Sequence, residues 1–299
     1  MRNILITGIN GFVGLNIYNS LKNDYKLYGI GHGKKSDKFK TLIKYTNKSI
    51  KKSILLRYFA NIDTVIHCAG SGLVGLSDNK KIFLRDINST KNILKFASDN
   101  KKKINIIFIS SISVYGNEYK KKISEKEEIF PISNYAKCKK ESEKICKKYS
   151  DKFNIGVKIL RVTSLYGMGL KKQVIFDAII KILRNENRFH GTGNEIRDFL
   201  HIDDFTDLIK KILRKKFKNY EVLNCGSGKD YKIKDVIQKI KKINKLKKKV
   251  VFTKKYIKSN PKYLAANINK AKKNYKWKPK KNFYDELPKI INQLKKNYD

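Results

Sequence analysis

Near the start of the chain the apolar run Ile4-Leu5-Ile6 passes through Thr7 into Gly8-Ile9-Asn10-Gly11-Phe12-Val13-Gly14, where an amphipathic pattern begins. A strand that turns within a few residues into a helix restricts the fold sharply. The helix must cover the strand, and the next parallel strand must return through a right-handed crossover. The glycines at 8, 11 and 14 have the spacing GxxGxxG. Lacking Cβ atoms, they let the backbone approach a pyrophosphate, while the free N–H groups and positive dipole end of the helix suit its oxygens. Gly8, Gly11 and Gly14 therefore read as a cofactor-binding loop; the plainer alternative is a tight strand-to-helix turn.

The pattern continues as the first turn demands. Short β-rich runs at residues 4–6, 26–30, 64–66, 104–109 and 157–160 alternate with helical patterns at 11–21, 80–98, 134–149 and 174–184. This alternation predicts an α/β protein with a doubly wound parallel sheet of the Rossmann kind over residues 1–164. Beyond 164 the alternation loosens, with glycine turns at Gly167 and Gly169, Gly191 and Gly193, and Gly226 and Gly228. Residues 165–299 are expected to form mainly a smaller α/β substrate-binding lobe, some segments of which pack back on the first domain. The lysine-rich stretch 239–249 reads as a helix end and loop.

Composition removes several classes of function. The chain is long enough, and at 40% hydrophobic residues apolar enough, to bury a large core. No run reaches the roughly 18 apolar residues of a spanning helix, and the first residues lack the length and cleavage site of a secretory signal. Cys68, Cys138, Cys146 and Cys225 show no CxxC spacing, so no metal site is expected, and reduced thiols in a cytoplasmic setting are. A net charge of +43 invites a polyanion. Its lysines, however, run along nearly the whole chain and no nucleic-acid motif accompanies them, so specific nucleic-acid binding is not expected. Such a surface still steers anionic substrates.

The second strand ends near Ile30, where a dinucleotide fold that selects NAD carries a carboxylate for the ribose hydroxyls. Here Gly31, His32, Gly33, Lys34 and Lys35 follow. With no anion to repel a 2′-phosphate and with Gly31, His32 and Lys34 placed to receive it, NADP(H) is favoured over NAD(H).

Tyr135 and Lys139 are four residues apart at the start of a helical pattern, which stacks them on one face. A phenol is a poor base at neutral pH, and a neighbouring ammonium favours the phenolate. About twenty residues earlier an apolar strand ends in Ser110-Ser111, and α/β sites form at the C-terminal ends of strands. Together with the glycine loop, Asp63-Thr64-Val65-Ile66-His67-Cys68-Ala69-Gly70, Asn88-Ser89-Thr90, Arg197-Asp198-Phe199, His201-Ile202-Asp203-Asp204 and Trp277-Lys278-Pro279, these residues make the chain similar to the extended short-chain dehydrogenases/reductases that act on nucleotide sugars. The resemblance spans nearly the whole chain.

It implies that Ser111 hydrogen-bonds the reacting sugar oxygen, Tyr135 exchanges the proton, and Lys139 holds the nicotinamide ribose and lowers the tyrosine pKa. It places the amides of Phe12 and Val13 on the cofactor pyrophosphate, with Ala69 and Asn88 also against the cofactor. Ser113, Ser164 and Arg197 join Ser111 at the substrate, with Arg197 gripping the diphosphate; a surface ion pair with Asp198 is the alternative for that arginine. Ser164 departs from the asparagine common in relatives. Relatives that dehydrate sugars carry an acidic pair after the catalytic hydroxyl residue, and here those places hold Ile112 and Ser113.

The expected activity is therefore hydride exchange at a sugar carbinol or keto carbon. A 4-keto sugar reductase is favoured by the residues after Ile30. A nucleotide-sugar 4-epimerase is the runner-up, since the loop at 69–77 looks like that of UDP-hexose 4-epimerases without their lysine. A non-catalytic NAD(P)-binding protein ranks lower, because Tyr135 and Lys139 are both present. The resemblance also implies a homodimer built from the helices at 80–98 and 134–149.

Overall fold

The computed structural model describes residues 1–51, 55, 58, 59, 61–70, 80–100, 102–218, 220–254 and 260–296. Its strands are β1 (Asn3–Thr7), β2 (Lys26–Ile30), β3 (Leu42–Thr46), β4 (Thr64–His67), β5 (Asn105–Ser111), β6 (Val157–Val162), β7 (Ser164–Tyr166), β8 (Arg188–Phe189), β9 (Ile196–Arg197), β10 (Phe199–His201), β11 (Tyr220–Cys225), β12 (Tyr231–Lys232), β13 (Val251–Phe252) and β14 (Tyr263–Leu264). Seven of them form one parallel sheet in the order β11-β6-β5-β4-β1-β2-β3. Successive strands build outward from β1 in both directions. The crevice beyond the C-terminal ends of β1 and β4 is thus the switch point at which such sheets hold ligands.

The helices are α1 (Phe12–Leu21), α2 (Lys80–Asp99), α3 (Asn134–Phe153), α4 (Gln173–Leu183), α5 (Ile202–Arg214), α6 (Ile233–Ile243), α7 (Asn269–Tyr275) and α8 (Phe283–Lys295). Strand alternation divides the core. Ile4 and Ile6 of β1 face a cluster with Ile17 and Leu21 of α1 and Phe205, Leu208 and Ile212 of α5. Leu5 faces the other way, toward Ile93, Leu94 and Ala97 of α2 and Cys146 of α3. Because helices cover both faces, β4 and β6 are buried along their whole lengths, and the ionisable residues they carry, His67 in β4 and Lys158 and Arg161 in β6, are buried with partners.

A separate core joins α4, α6 and α8 around Phe189, Phe199, Tyr231 and Phe283. Phe199 and Phe283 stack with centroids 4.5 Å apart. Here strands are mostly two or three residues long, in pairs and one three-stranded sheet. The chain crosses between the two cores: β11 returns to the large sheet beside β6, and α5 packs on α1. Neither β3 nor β11 stands among the strands expected from periodicity. β3 is a half-exposed edge strand containing Lys44, and β11 begins with a polar, half-buried half.

Candidate active site

At the switch point Gly8 has φ +67, and a Cβ there would lie 2.8 Å from the Ala69 nitrogen. A Cβ on Gly14 would lie 2.4 Å from the Gly8 carbonyl oxygen. The two glycines thus bring the end of β1, the end of β4 and the first turn of α1 closer together than any side chain allows. Gly11 is the N-cap of α1 and supplies no side-chain cap. The early amides of the helix, including those of Phe12 and Val13, lack intrahelical carbonyls, as at any helix start. This cradle of backbone donors fits the pyrophosphate of a dinucleotide.

Behind the cradle lies a histidine that the sequence reading assigned no role. His67 is buried, with Nδ1 2.7 Å from Thr7 Oγ1 and Nε2 3.1 Å from Thr90 Oγ1. Thr90 donates its hydroxyl proton to the Asp86 carbonyl, so it accepts from His67 Nε2–H. Nδ1 is then the acceptor for the Thr7 hydroxyl, whose oxygen in turn accepts from the Ala69 N–H at 3.2 Å. Burial, reinforced by the Lys139 charge, holds the imidazole neutral by lowering its pKa to about 3. One chain of hydrogen bonds thereby fixes Ala69. Its only sequence signal was a polar residue at the end of an otherwise apolar strand.

Beyond β2, Gly31 donates to the Thr46 carbonyl at 3.1 Å. The place of a Gly31 Cβ is filled by the Asn10 amide, 1.6 Å away at Oδ1. The Tyr45 hydroxyl donates to Asn10 Oδ1 at 3.2 Å and to the Gly33 carbonyl at 2.9 Å. His32 and Lys34 are exposed on the loop that follows.

Ser111 ends β5 and caps a 3-10 turn formed by Ile112–Tyr115; its Oγ accepts from the Ser113 N–H at 3.2 Å and lies 2.9 Å from Ser113 Oγ. Helix α3 begins beside this turn, capped by Ser133, whose Oγ accepts from the Ala136 N–H at 3.1 Å. Lys139 donates to the Ile109 carbonyl of the serine strand at 2.9 Å. Its Nζ stands 5.8 Å from the centre of the Tyr135 ring and 4.8 Å from that of Phe108. The helical pair and the serine strand are thus joined by one ammonium group.

A buried polar network lies beneath them. Glu143, one turn beyond Lys139 on the same face of α3, accepts from Ser110, next to Ser111, and from Arg161 Nη2 at 2.7 Å. Arg161 Nη1 also donates to the Tyr115 hydroxyl at 2.7 Å, and that hydroxyl donates to Asn224 Oδ1 at 3.0 Å. α3, β5, β6 and β11 are held in fixed relation at the level of the site.

Asn88 is exposed on α2. Asp86, two residues earlier, turns toward the site instead: its Oδ2 is 3.6 Å from the place of a Gly70 Cβ. Of the loop at 69–77, Ala69 and Gly70 are described and residues 71–77 lie outside the described residues.

In the second lobe Arg197 is buried on β9, donating to the Ile196 carbonyl at 2.7 Å and to Asn260 Oδ1 at 2.5 Å. The surface pairing with Asp198 is not what the structure holds. Asp198 is fully buried, and its carboxylate accepts from the Ser227 N–H and hydroxyl at 2.6 and 2.7 Å, from Gly228 N–H at 3.0 Å and from Ala266 N–H at 3.2 Å. Burial raises its pKa against those donors. The Asp198 carbonyl accepts from the half-buried Ser164, so Ser164 and Arg197 flank one anchored residue.

Residues 4–226 match the family described as NAD dependent epimerase/dehydratase. The chain belongs to this family. Its members are enzymes of the extended short-chain dehydrogenase/reductase type. Among relatives, UDP-glucuronate 4-epimerase of Thermodesulfobacterium geofontis is 26% identical, over 99% of this chain and 97% of that protein. The dTDP-D-glucose 4,6-dehydratase of Bos taurus is 28% identical, over 81% of this chain and 74% of that protein. The solved structure of UDP-glucuronic acid 4-epimerase from Bacillus cereus, in complex with UDP-glucuronic acid and NAD, aligns with a TM-score of 0.86 at 26% identity, covering 98% of this chain and all of that one.

Proposed function

We propose that the chain transfers hydride at a carbinol carbon of a nucleotide-diphosphate sugar, and that its net reaction is 4-epimerisation. The observation that carries the reading is Lys139, hydrogen-bonded to the serine strand and set beside the Tyr135 ring at the sheet's switch point. The glycine cradle, Ala69 and Lys139 would hold a nicotinamide cofactor, which would supply the hydride acceptor and donor. The chain's own residues handle the proton. Tyr135 takes it from the sugar hydroxyl, and the Lys139 ammonium favours the phenolate that does so. Ser111, oriented by Ser113, donates to the reacting oxygen. The Arg197 guanidinium suits the diphosphate, and Ser164 lies beside it.

Dehydration is disfavoured, because Ile112 is in the core and Ser113 is engaged with Ser111. Epimerisation ranks first because the UDP-glucuronate 4-epimerases match nearly end to end. Net reduction of a 4-keto sugar is the second reading, favoured by the loop after β2: Gly31 and Asn10 stand where a carboxylate would repel a 2′-phosphate, and His32 and Lys34 are exposed to receive one. That feature also keeps NADP(H) ahead of NAD(H) in the proposal. A homodimer through the outer faces of α2 and α3, where Leu84 is exposed, completes it.

The test is incubation of the purified protein with NAD+, NADP+, NADH or NADPH and a panel of nucleotide sugars and their 4-keto derivatives. Interconversion of two 4-epimers without net change in cofactor supports the first reading, and stoichiometric cofactor oxidation supports the second. No change in any sugar across a panel spanning UDP-, dTDP- and GDP-sugars contradicts both.

A further inference from the structure

We propose that Asp86 is the counter-charge of Lys139 and tunes the proton affinity of Tyr135. This inference rests on the roles given to Tyr135 and Lys139 above. Asp86 comes from α2 and Lys139 from α3, and the two meet over Gly70. The place of a Gly70 Cβ is 3.6 Å from Asp86 Oδ2 and 3.6 Å from Lys139 Nζ, so the opposite charges lie within two such radii of each other across a residue with no side chain.

The Lys139 charge is held in place, and the Asp86 carboxylate is largely shielded from solvent. The Asp86 side chain is 16% exposed and its backbone carbonyl accepts from Thr90, the residue that orients His67. Lys139 is tied to the Ile109 carbonyl. A third group registers both: the Cys138 thiol feels the Lys139 charge in one direction and the Asp86 charge in the other.

Among the described residues, the titratable and charged groups near the pair are Tyr135, Cys138 and Cys146 of α3, Glu143 one turn further along α3 with its partner Arg161, Arg85 of α2, and His67 with Cys68 at the end of β4. Burial keeps the three thiols protonated, pushing Cys68 up to about 12 and Cys138 up to about 11 and raising Cys146 as well, and keeps His67 neutral. Arg85 approaches the far oxygen, Oδ1, only to 3.8 Å and is 62% exposed, so solvent screens it. Glu143 is neutralised in its buried ion pair with Arg161, which leaves Asp86 as the carboxylate set against the Lys139 ammonium. An ammonium near a phenol favours the phenolate, and a carboxylate beside that ammonium opposes it. In a reaction that oxidises and then reduces the same carbon, a single residue at the reacting oxygen can take the proton in one half and return it in the other. Asp86 touches neither substrate nor cofactor in this account and acts through Lys139 and Tyr135, as a positioning residue.

The experiment is an alkaline titration of tyrosinate absorbance in the full-length chain, together with the pH profile of turnover. The chain has 17 tyrosines, so each titration is taken as the difference from the same protein carrying Tyr135→Phe. Asp86→Asn should lower the Tyr135 midpoint by about half a unit to one unit and move the acid limb of the turnover profile the same way, with Asp86→Glu restoring both. Asp86→Ser, also neutral, carries the same expectation should the asparagine variant not fold. An unmoved or raised Tyr135 midpoint in a folded neutral variant overturns the proposal. Failure of the catalytic reading looks different: Tyr135→Phe would then retain turnover, while the tyrosinate titration would still report the Asp86 field.

Discussion

The large sheet and the second lobe place the residues of the proposed site by different means. Ser111 ends a seven-residue strand bonded on both sides by β4 and β6, and its position follows from continuous backbone ladders. Arg197 lies on a two-residue strand, and its neighbour Asp198 collects donors from residues 227, 228 and 266. Where ladders do the positioning, side chains at the strand ends are free to serve chemistry. Where ladders are short, buried side chains must do the holding, and the geometry depends on contacts distant in sequence.

If that contrast is real, the largest effect should come from Asp198→Ala. Removing the carboxylate leaves several buried N–H groups without their acceptor, which should cost about 3–4 kcal/mol of stability in chemical denaturation and weaken nucleotide-sugar binding. Cofactor affinity, governed by the other lobe, should change little. Equal loss of both affinities in the folded fraction would show that the lobes are not separable in this way.

Arg197→Ala sharpens the same point at a smaller scale. Loss of a charge-assisted contact to the diphosphate should weaken substrate binding by about 1.5–3 kcal/mol in calorimetry and leave cofactor binding unchanged. Gly14→Ala is the converse. Its methyl group would press on the Gly8 carbonyl and the Ile9 backbone, an overpacking cost of about 1–3 kcal/mol that should appear in cofactor affinity before substrate affinity.

The last test is read as a slope with pH rather than as a loss at one pH, and concerns His67. Its folded-state pKa of about 3 lies below the ordinary 6.5, so the unfolded chain binds a proton over an interval in which the folded chain does not. Its contribution is fully present above pH 6.5 and is lost as pH falls toward 3, at about 1.4 kcal/mol per pH unit. His67→Asn should be less stable at neutral pH yet lose stability less steeply across that interval. Parallel curves in denaturant titrations at several pH values would mean that the imidazole is not held neutral.

Much of the first lobe was legible because its signals are local. The glycine loop, the four-residue step from Tyr135 to Lys139 and the run into Ser111 are each contained in a few consecutive residues. β3 escaped because a short edge strand with an exposed lysine carries weak alternation, and β11 because its half-polar start resembles a loop. Asn88 was expected at the cofactor from the family resemblance; it is exposed on α2, while Asp86, two residues earlier, approaches Gly70. The anchoring of Asp198 could not be read locally, since its donors lie about thirty and seventy residues further along.

The most direct measurement is turnover of Tyr135→Phe on a nucleotide sugar that the native chain converts, with cofactor affinity measured alongside. The ring and its packing remain and only the hydroxyl is lost. The variant should bind cofactor as the native protein does while losing roughly 10²–10⁴ in kcat, the contribution of general acid–base catalysis. Native turnover in that variant would contradict the account, and would leave a dinucleotide-binding sheet whose chemistry lies elsewhere.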